Sequence, residues 1–288
     1  MSQTKSALLT VLIAICSLQY GSSLAKGLFP VIGAPGAAAI RLCFASLIML
    51  TVWRPWRAKL SLNSYKAIAL YGGSLGLMNL LFYLALARIP LGVAVALEFT
   101  GPLAIALIHS KRPIDFLWAF LAIIGILLLL PFESSANSLD LAGILLALGA
   151  GLCWAGYIHF GKKAVENQHE GVISSLGMSV AALIVLPLGI ALSEVNIFNP
   201  SVLPLAFLVA ILSSALPYSL EMMALKKLSA KTFGILMSLE PAWAALMGLI
   251  FLKELLSPKE IVAIVAIIIA SLGGTLAEKN NAAKQPEL

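Results

Sequence analysis

The sequence predicts an all-α polytopic membrane protein: ten transmembrane helices in two inverted five-helix repeats, with the N- and C-termini cytoplasmic. Three observations lead there. Hydrophobic residues make up 60% of the chain and charged residues only 11%, with a mean hydropathy of +1.00. Soluble domains carry roughly a quarter charged residues, so this composition belongs to the membrane class. The apolar residues gather into runs near the ~20 residues that a membrane-crossing helix needs. Lysine and arginine alternate between the connections as they do in a protein that keeps its positive loops inside.

In order, the runs cover about 7–25, 36–52, 66–87, 91–110, 114–131, 141–160, 171–192, 202–223, 232–252 and 260–277. The first follows Lys5 directly, with no small-residue cleavage site, and reads as a span and not as a removed signal peptide. The second closes before the basic connection of Arg54, Arg57 and Lys59, and the third begins at Lys66. Lys111 and Arg112 separate the fourth from the fifth. The sixth ends at Lys162 and Lys163, the eighth at Lys226, Lys227 and Lys231, and the tenth before Lys279 and Lys284. With the N-terminus inside, 14 basic residues fall on the cytoplasmic side. Four, Lys26, Arg88, Lys253 and Lys259, fall on the other, and Arg41 lies within a span. One missed or invented span would invert every later connection and destroy that asymmetry. Apolar residues show no two-residue alternation, which argues against an outer-membrane barrel.

The net charge of +6 could suggest nucleic acid, but the basic residues sit in short loops and no basic patch is interleaved with aromatics. Cys16, Cys43 and Cys153 lie in apolar runs and read as small hydrophobes, not disulfide or metal partners.

The segment from Pro131 to Asp140 is the one connection resembling a joint, and it divides the spans five and five. The expected units are 1–131, a periplasmic connection at 132–140, a second repeat at 141–277, and a polar, loose cytoplasmic tail at 278–288. Leu97-Glu98-Phe99-Thr100-Gly101-Pro102 has an echo 142 positions later in Leu239-Glu240-Pro241. That same offset aligns Lys111 with Lys253. An odd number of spans per half reverses the second half, giving the inverted repeat that many transporters use for alternating access.

Acids within a span are costly by a few kcal/mol and usually face a cavity. Glu98 and Glu240 each fall roughly 12 Å from opposite membrane faces at 1.5 Å per residue, hence near the midplane. A carboxylate there can hold a proton or a substrate ammonium, but not both, and that competition couples the two. The other reading is a structural acid bonded to a neighbouring helix. Pro102 has no N–H to give the carbonyl of Glu98, and Pro241 likewise spares that of Met237. With Gly101 on the same face, the first site is expected to combine a free carbonyl, a carboxylate and open space.

Ser214, Tyr218 and Glu221 share one helix face, although Glu221 is placed near the cytoplasmic end, where an interfacial lysine could pair with it. Asn79 and Tyr83 form a polar i, i+4 pair that could bind a hydroxyl or amide, or join helices. Lys26 and Arg41 lie toward the outer ends of the first two spans. They are read mainly as snorkelling cations, with a substrate carboxylate as the alternative. Trp154 and Tyr157 line a cavity or simply pack. The candidates for substrate binding and proton coupling are therefore Glu98, Glu240, Pro102, Asn79, Tyr83, Tyr218 and Glu221. No catalytic residue, metal ligand or cofactor is expected.

Small residues at helix-face spacing, Ala147, Gly151 and Ala155 in one span and Gly72 and Gly76 in another, suit close helix approach. Gly72-Gly73-Ser74-Leu75-Gly76 also fits the G-x-S-x-G hydrolase pattern, which carries meaning only at a strand-to-helix turn. An intramembrane hydrolase using Ser74 is thus a poor alternative. The sequence has no Walker loop, H-E-x-x-H or cysteine metal cluster.

Four stretches resemble the drug/metabolite transporter superfamily with its paired EamA-type domains. They are Gly33-Ala34-Pro35-Gly36, Pro90 to Pro102, Arg112-Pro113-Ile114-Asp115-Phe116, and Ala215-Leu216-Pro217-Tyr218-Ser219-Leu220-Glu221. Within it, the chain is most similar to bacterial exporters of threonine and homoserine. The resemblance implies a multi-pass protein of the bacterial inner membrane that exports small amino acids by exchange with protons. Export of other small metabolites or drugs is the alternative within that superfamily. The implied partners are a small amino acid, protons and the lipid bilayer, with no nucleic acid.

Overall fold

A computed structural model describes residues 3–108, 113–129, 139–166, 168–193, 195–227, 233, 237 and 239–282. The described secondary structure is helical, with no strand among those residues. Most of the predicted joint, together with Lys111, Arg112, His109, Lys231 and the tail from 283, lies outside the described residues.

Helix α1 (Gln3–Ala25) leads through a 3₁₀ turn at Lys26–Leu28 into α2 (Phe29–Trp53). Helix α2 breaks once, at Gly33, whose φ of +69° is open to glycine without a Cβ penalty. Pro35 two residues later removes a helical N–H, which makes this the natural place for the bend. Arg54 ends α2 in the left-handed region and gives its N–H to the carbonyl of Leu50. Ser61 opens α3 (Leu62–Leu86) by accepting from the N–H of Ser64.

Helices α4 (Leu91–Glu98) and α5 (Thr100–Ile108) are two pieces of one broken run, followed by α6 (Pro113–Leu129). Asp140 caps α7 (Leu141–Val165) by accepting from the N–H of Ala142. It also accepts from Arg88 at 2.8 Å, and these two bonds hold its carboxyl below the usual carboxylate range. Helix α8 (Glu170–Leu192) begins at His169, whose Nδ1 accepts from the N–H of Gly171.

A 3₁₀ turn at Pro200–Val202 precedes α9 (Leu203–Ala210), which widens into a π-helical turn at Ile211–Ala215 and continues as α10 (Leu216–Lys227). Helix α11 (Glu240–Met247) likewise ends in a π turn, Gly248–Leu252, before Lys253 in the left-handed region. Helix α12 (Pro258–Ala282) closes the described chain, so residues 278–282 of the expected loose tail continue a helix.

Among the described residues, five stretches are long and apolar enough to cross a membrane: Leu9–Trp53, Leu62–Leu86, Leu141–Val165, Glu170–Leu192 and Pro200–Lys227. Leu91–Ala104 and Glu240–Leu252 are shorter apolar helices. Large aliphatic side chains such as Leu145, Leu152 and Leu183 point outward, as lipid requires.

Inside, α3 packs against α7 and α8, α2 against α8, α4 against α11, α6 against α12, and α1 against α10. Small residues make the closest of these crossings possible. A methyl group at Gly72 would sit 2.5 Å from the carbonyl oxygen of Gly177, so α3 and α8 meet nearly backbone to backbone. That places Gly72 and Ser74 of the hydrolase-like pattern within a helix and rules out the strand-to-helix elbow such chemistry needs.

Candidate functional site

The break between α4 and α5 sets the position of Glu98. The hydroxyl of Thr100 donates to the carbonyl of Leu97 at 2.6 Å, a local bond that competes with the helix ladder. Pro102 has no N–H to offer the carbonyl of Glu98. That carbonyl does not open onto free space, contrary to expectation. A methyl group at Gly151 of α7 would lie 2.5 Å from it, and one at Gly101 would lie 1.8 Å from the Gly151 oxygen. Glycine at 101 and 151 lets the broken helix seat directly on α7, and the Glu98 side chain turns inward. Pro102 shapes this seat and does not line the cavity described below.

Glu240 is the first residue of α11, with Pro241 in the first turn, where its fixed φ suits a helix start. A carboxylate at that end faces the positive pole of the helix. Glu221 comes from α10. The expectation of an interfacial lysine partner fails: Glu221 is 2% exposed and accepts from the hydroxyl of Tyr157 at 3.0 Å. Two structural facts put it so deep. Helix α10 runs on to Lys227, past the predicted end, and the π turn at Ile211–Ala215 shifts the register of everything after it. On the same face, Tyr218 joins Glu221 at the cavity, whereas Ser214 is buried with its hydroxyl unpartnered.

Arg41 departs most from expectation. It does not snorkel. It is 1% exposed, and its Nη1 donates to the carbonyl and hydroxyl oxygens of Ser213 at 2.9 and 3.1 Å. Its Nη2 donates to Oδ1 of Asn79, which also accepts from the hydroxyl of Tyr218. The guanidinium carbon lies 4.4 Å from the ring centre of Tyr83, a cation–π contact. Asn79 and Tyr83, read either as a pair for a hydroxyl or amide or as a joint between helices, are both occupied in holding Arg41. Asn79 lines the cavity and Tyr83 stands behind it. Lys26, the other suspected cation, pairs instead with Glu254, whose second oxygen accepts from the N–H of Leu91 at 2.8 Å.

These side chains converge on one cavity of about 30 Å³, room for a water molecule or two. Among the described residues, the buried acids are Glu98, Glu221 and Glu240 and the buried cation is Arg41. All four line this cavity. Gln19 and Ser22 of α1 supply further polar groups, and Met78, Phe82 and Trp154 supply apolar wall. Four buried lining atoms have no hydrogen-bond partner: Oε1 of Gln19, Nε of Arg41, Oε1 of Glu221 and Oε1 of Glu240. A buried polar group without a partner carries a desolvation penalty of about 1–3 kcal/mol. Four in one cavity mark a place built for a polar guest.

Sequence reading found Glu98 and Glu240 because a charge stands out in an apolar run. It did not single out Gln19 as a lining residue, although an amide in the first apolar run was the available signal.

The EamA-like transporter family model matches residues 141–274. The threonine/homoserine exporter RhtA of Escherichia coli (strain K12) is 50% identical over 266 residues, covering 92% of this chain and 90% of that one. The protein of the same description from Salmonella typhimurium (strain LT2) is 50% identical over 269 residues, covering 93% and 91%. The uncharacterized transporter YwfM of Bacillus subtilis (strain 168) is 27% identical over 235 residues, 79% of each chain. A crystal structure of another protein superposes with a TM-score of 0.68 over 96% of this chain and 99% of that one, at 15% identity, a likeness of fold alone. A helical, apolar chain that gathers its buried charges in one cavity, and shares half its residues with such exporters along nearly its full length, belongs to the EamA-like transporter family.

Proposed function

We propose that this protein exports small amino acids, threonine and homoserine first, across the bacterial inner membrane in exchange for protons. The observation that carries the reading is the meeting of Arg41, Glu98, Glu221 and Glu240 in one cavity. A zwitterion brings one cation and one anion, and this site offers a partner for each. The relatives' description as threonine/homoserine exporters supports the cargo.

The working architecture is ten spans in two inverted repeats, 1–131 and 141–277, joined at 132–140, with the N-terminus and the tail at 278–288 cytoplasmic. Reciprocal packing supports it. The second, fourth and fifth spans of one half pack on their counterparts, as α2 on α8, α4 on α11 and α6 on α12. The third span of each half packs on the first of the other, as α3 on α7 and α10 on α1. A two-fold axis in the membrane plane generates such pairs.

Glu98, Glu240 and Glu221 are the exchanging acids in this reading, with Asn79, Tyr218 and Tyr83 positioning groups and Pro102 the device that breaks the helix. A carboxylate binds the cargo's ammonium from the cytoplasm. Protonation from the outside then displaces it, and the cavity returns with the proton.

The test is uptake and counterflow of labelled threonine and homoserine in proteoliposomes with an imposed pH gradient, against a panel of other amino acids and drugs. Threonine and homoserine moving down a proton-linked gradient is the expected result. Glu98→Gln should fold and lose the proton linkage. Unchanged pH dependence in that variant removes Glu98 from its role, and transport of drugs without amino acids overturns the cargo.

A further inference from the structure

The guanidinium of Arg41 is held through both Nη atoms, while its Nε is buried without a partner. Nη1 is spent on Ser213, and Nη2 gives one of its two hydrogens to Asn79. The Nε hydrogen has no partner, although the residue is buried. Nε and Nη2 form the edge that grips a carboxylate side-on with two parallel bonds. Among the described residues the ion pairs within 4.0 Å are Lys26–Glu254, Arg88–Asp140 and Lys226–Glu170, so none of the three cavity acids neutralises Arg41. A buried cation with an unpartnered Nε donor and no counter-ion points to an anion that arrives from outside.

We propose that Arg41 is the carboxylate-recognising residue of the transport site, with the Nε edge receiving the α-carboxylate while the adjacent ammonium faces Glu98. The assignment rests on the amino-acid export reading and adds the selectivity within it. The carboxylate is then the group that admits a cargo, and amines lacking it are refused even when their side chains fit. Ser213, from the second half, and Asn79 and Tyr83, from α3, are positioning residues that hold the fork flat. The opposing possibility is a purely structural arginine, satisfied by Ser213, Asn79 and the Tyr83 ring.

Competition distinguishes the two. Labelled threonine counterflow in wild-type proteoliposomes is challenged with unlabelled threonine and with threoninol, which keeps the ammonium and hydroxyl and replaces the carboxylate with a hydroxymethyl group. Threoninol should compete about 10- to 100-fold less well, the range expected for losing a hydrogen-bonded charge at a buried partner. Arg41→Lys keeps the charge without the fork, and should raise the threonine KM while narrowing the gap between the two competitors. If Arg41→Lys does not fold, the wild-type competition decides alone. Threoninol competing as well as threonine overturns the assignment and leaves export standing, as does a folded Arg41→Lys that discriminates like the wild type. Absence of any threonine counterflow in the wild type overturns both.

Discussion

At the scale of single residues, Asn79 is where three helices are tied. Its Oδ1 takes hydrogen bonds from Arg41 of α2 and Tyr218 of α10, and its Nδ2 donates to the carbonyl of Leu75 in its own helix. Asn79→Ala strands two buried donors, one of them charged, and should destabilise the protein by about 2–4 kcal/mol. The expected readout is a lower unfolding midpoint in detergent, with weaker threonine affinity. Asn79→Asp keeps an acceptor for both and should retain more of each. Residues of this kind were partly legible. Glu98 and Glu240 stood out because hydropathy alone exposes an acid in an apolar run. Arg41 lies deeper than the sequence suggests, because the apolar run that begins at 36, five residues before it, is only the later part of its helix. Helix α2 in fact begins at Phe29 and carries through the bend at Gly33, so Arg41 lies a further two turns in. A proline and two glycines read as a helix end, whereas packing bridges them into a bent helix.

At the scale of elements, the start of α4 depends on a residue far away in the chain. Glu254 takes the N–H of Leu91 with one oxygen and pairs with Lys26 through the other. Both side chains of the pair are about four-fifths shielded from solvent. Glu254→Ala removes a helix-end charge, an ion pair and a hydrogen bond together, and should lower stability by about 1–2 kcal/mol. Lys26→Ala keeps the bond to Leu91 and should cost less. Chemical unfolding in mixed micelles, compared across the two variants, checks the order. The row of Ala147, Gly151 and Ala155 was readable as a packing face from its spacing. Its partner was not, because a small residue announces that something comes close without saying what. The π turns at Ile211–Ala215 and Gly248–Leu252 were likewise invisible, since they arise from how neighbouring helices pull on a ladder that the local sequence would keep regular.

At the scale of the whole molecule, the balance of basic residues makes a prediction independent of any side-chain geometry. A fluorescent-protein fusion to the C-terminus, of a type that matures only in the cytoplasm, should glow in intact cells, and so should one placed between Trp53 and Leu62. A fusion in the connection at 132–140 should stay dark. A dark C-terminal fusion beside a glowing one between Trp53 and Leu62 would mean an odd number of crossings between them and undo the two-fold architecture. The membrane class and the helical fold were legible here because lipid enforces them through composition and periodicity. The gathering of the charged residues was not. Arg41, Glu98, Glu221 and Glu240 come from four different helices, and no linear pattern carries the distances between them.

The seat of Gly101 on Gly151 bears on how such a molecule moves. Interlocked side chains must disengage and repack before two helices can slide, and that repacking makes a barrier. Here bare backbone rests on bare backbone at Gly101 and Gly151, with the rings of Phe99 and Trp154 packed edge to face beside the seat. Movement of the broken helix over α7 would have to re-seat that aromatic pair, and would carry the carboxyl of Glu98 with it. An alanine at either glycine would set a methyl group 1.8 or 2.5 Å from the opposing backbone, so it would push the broken helix off α7 and take Glu98 with it.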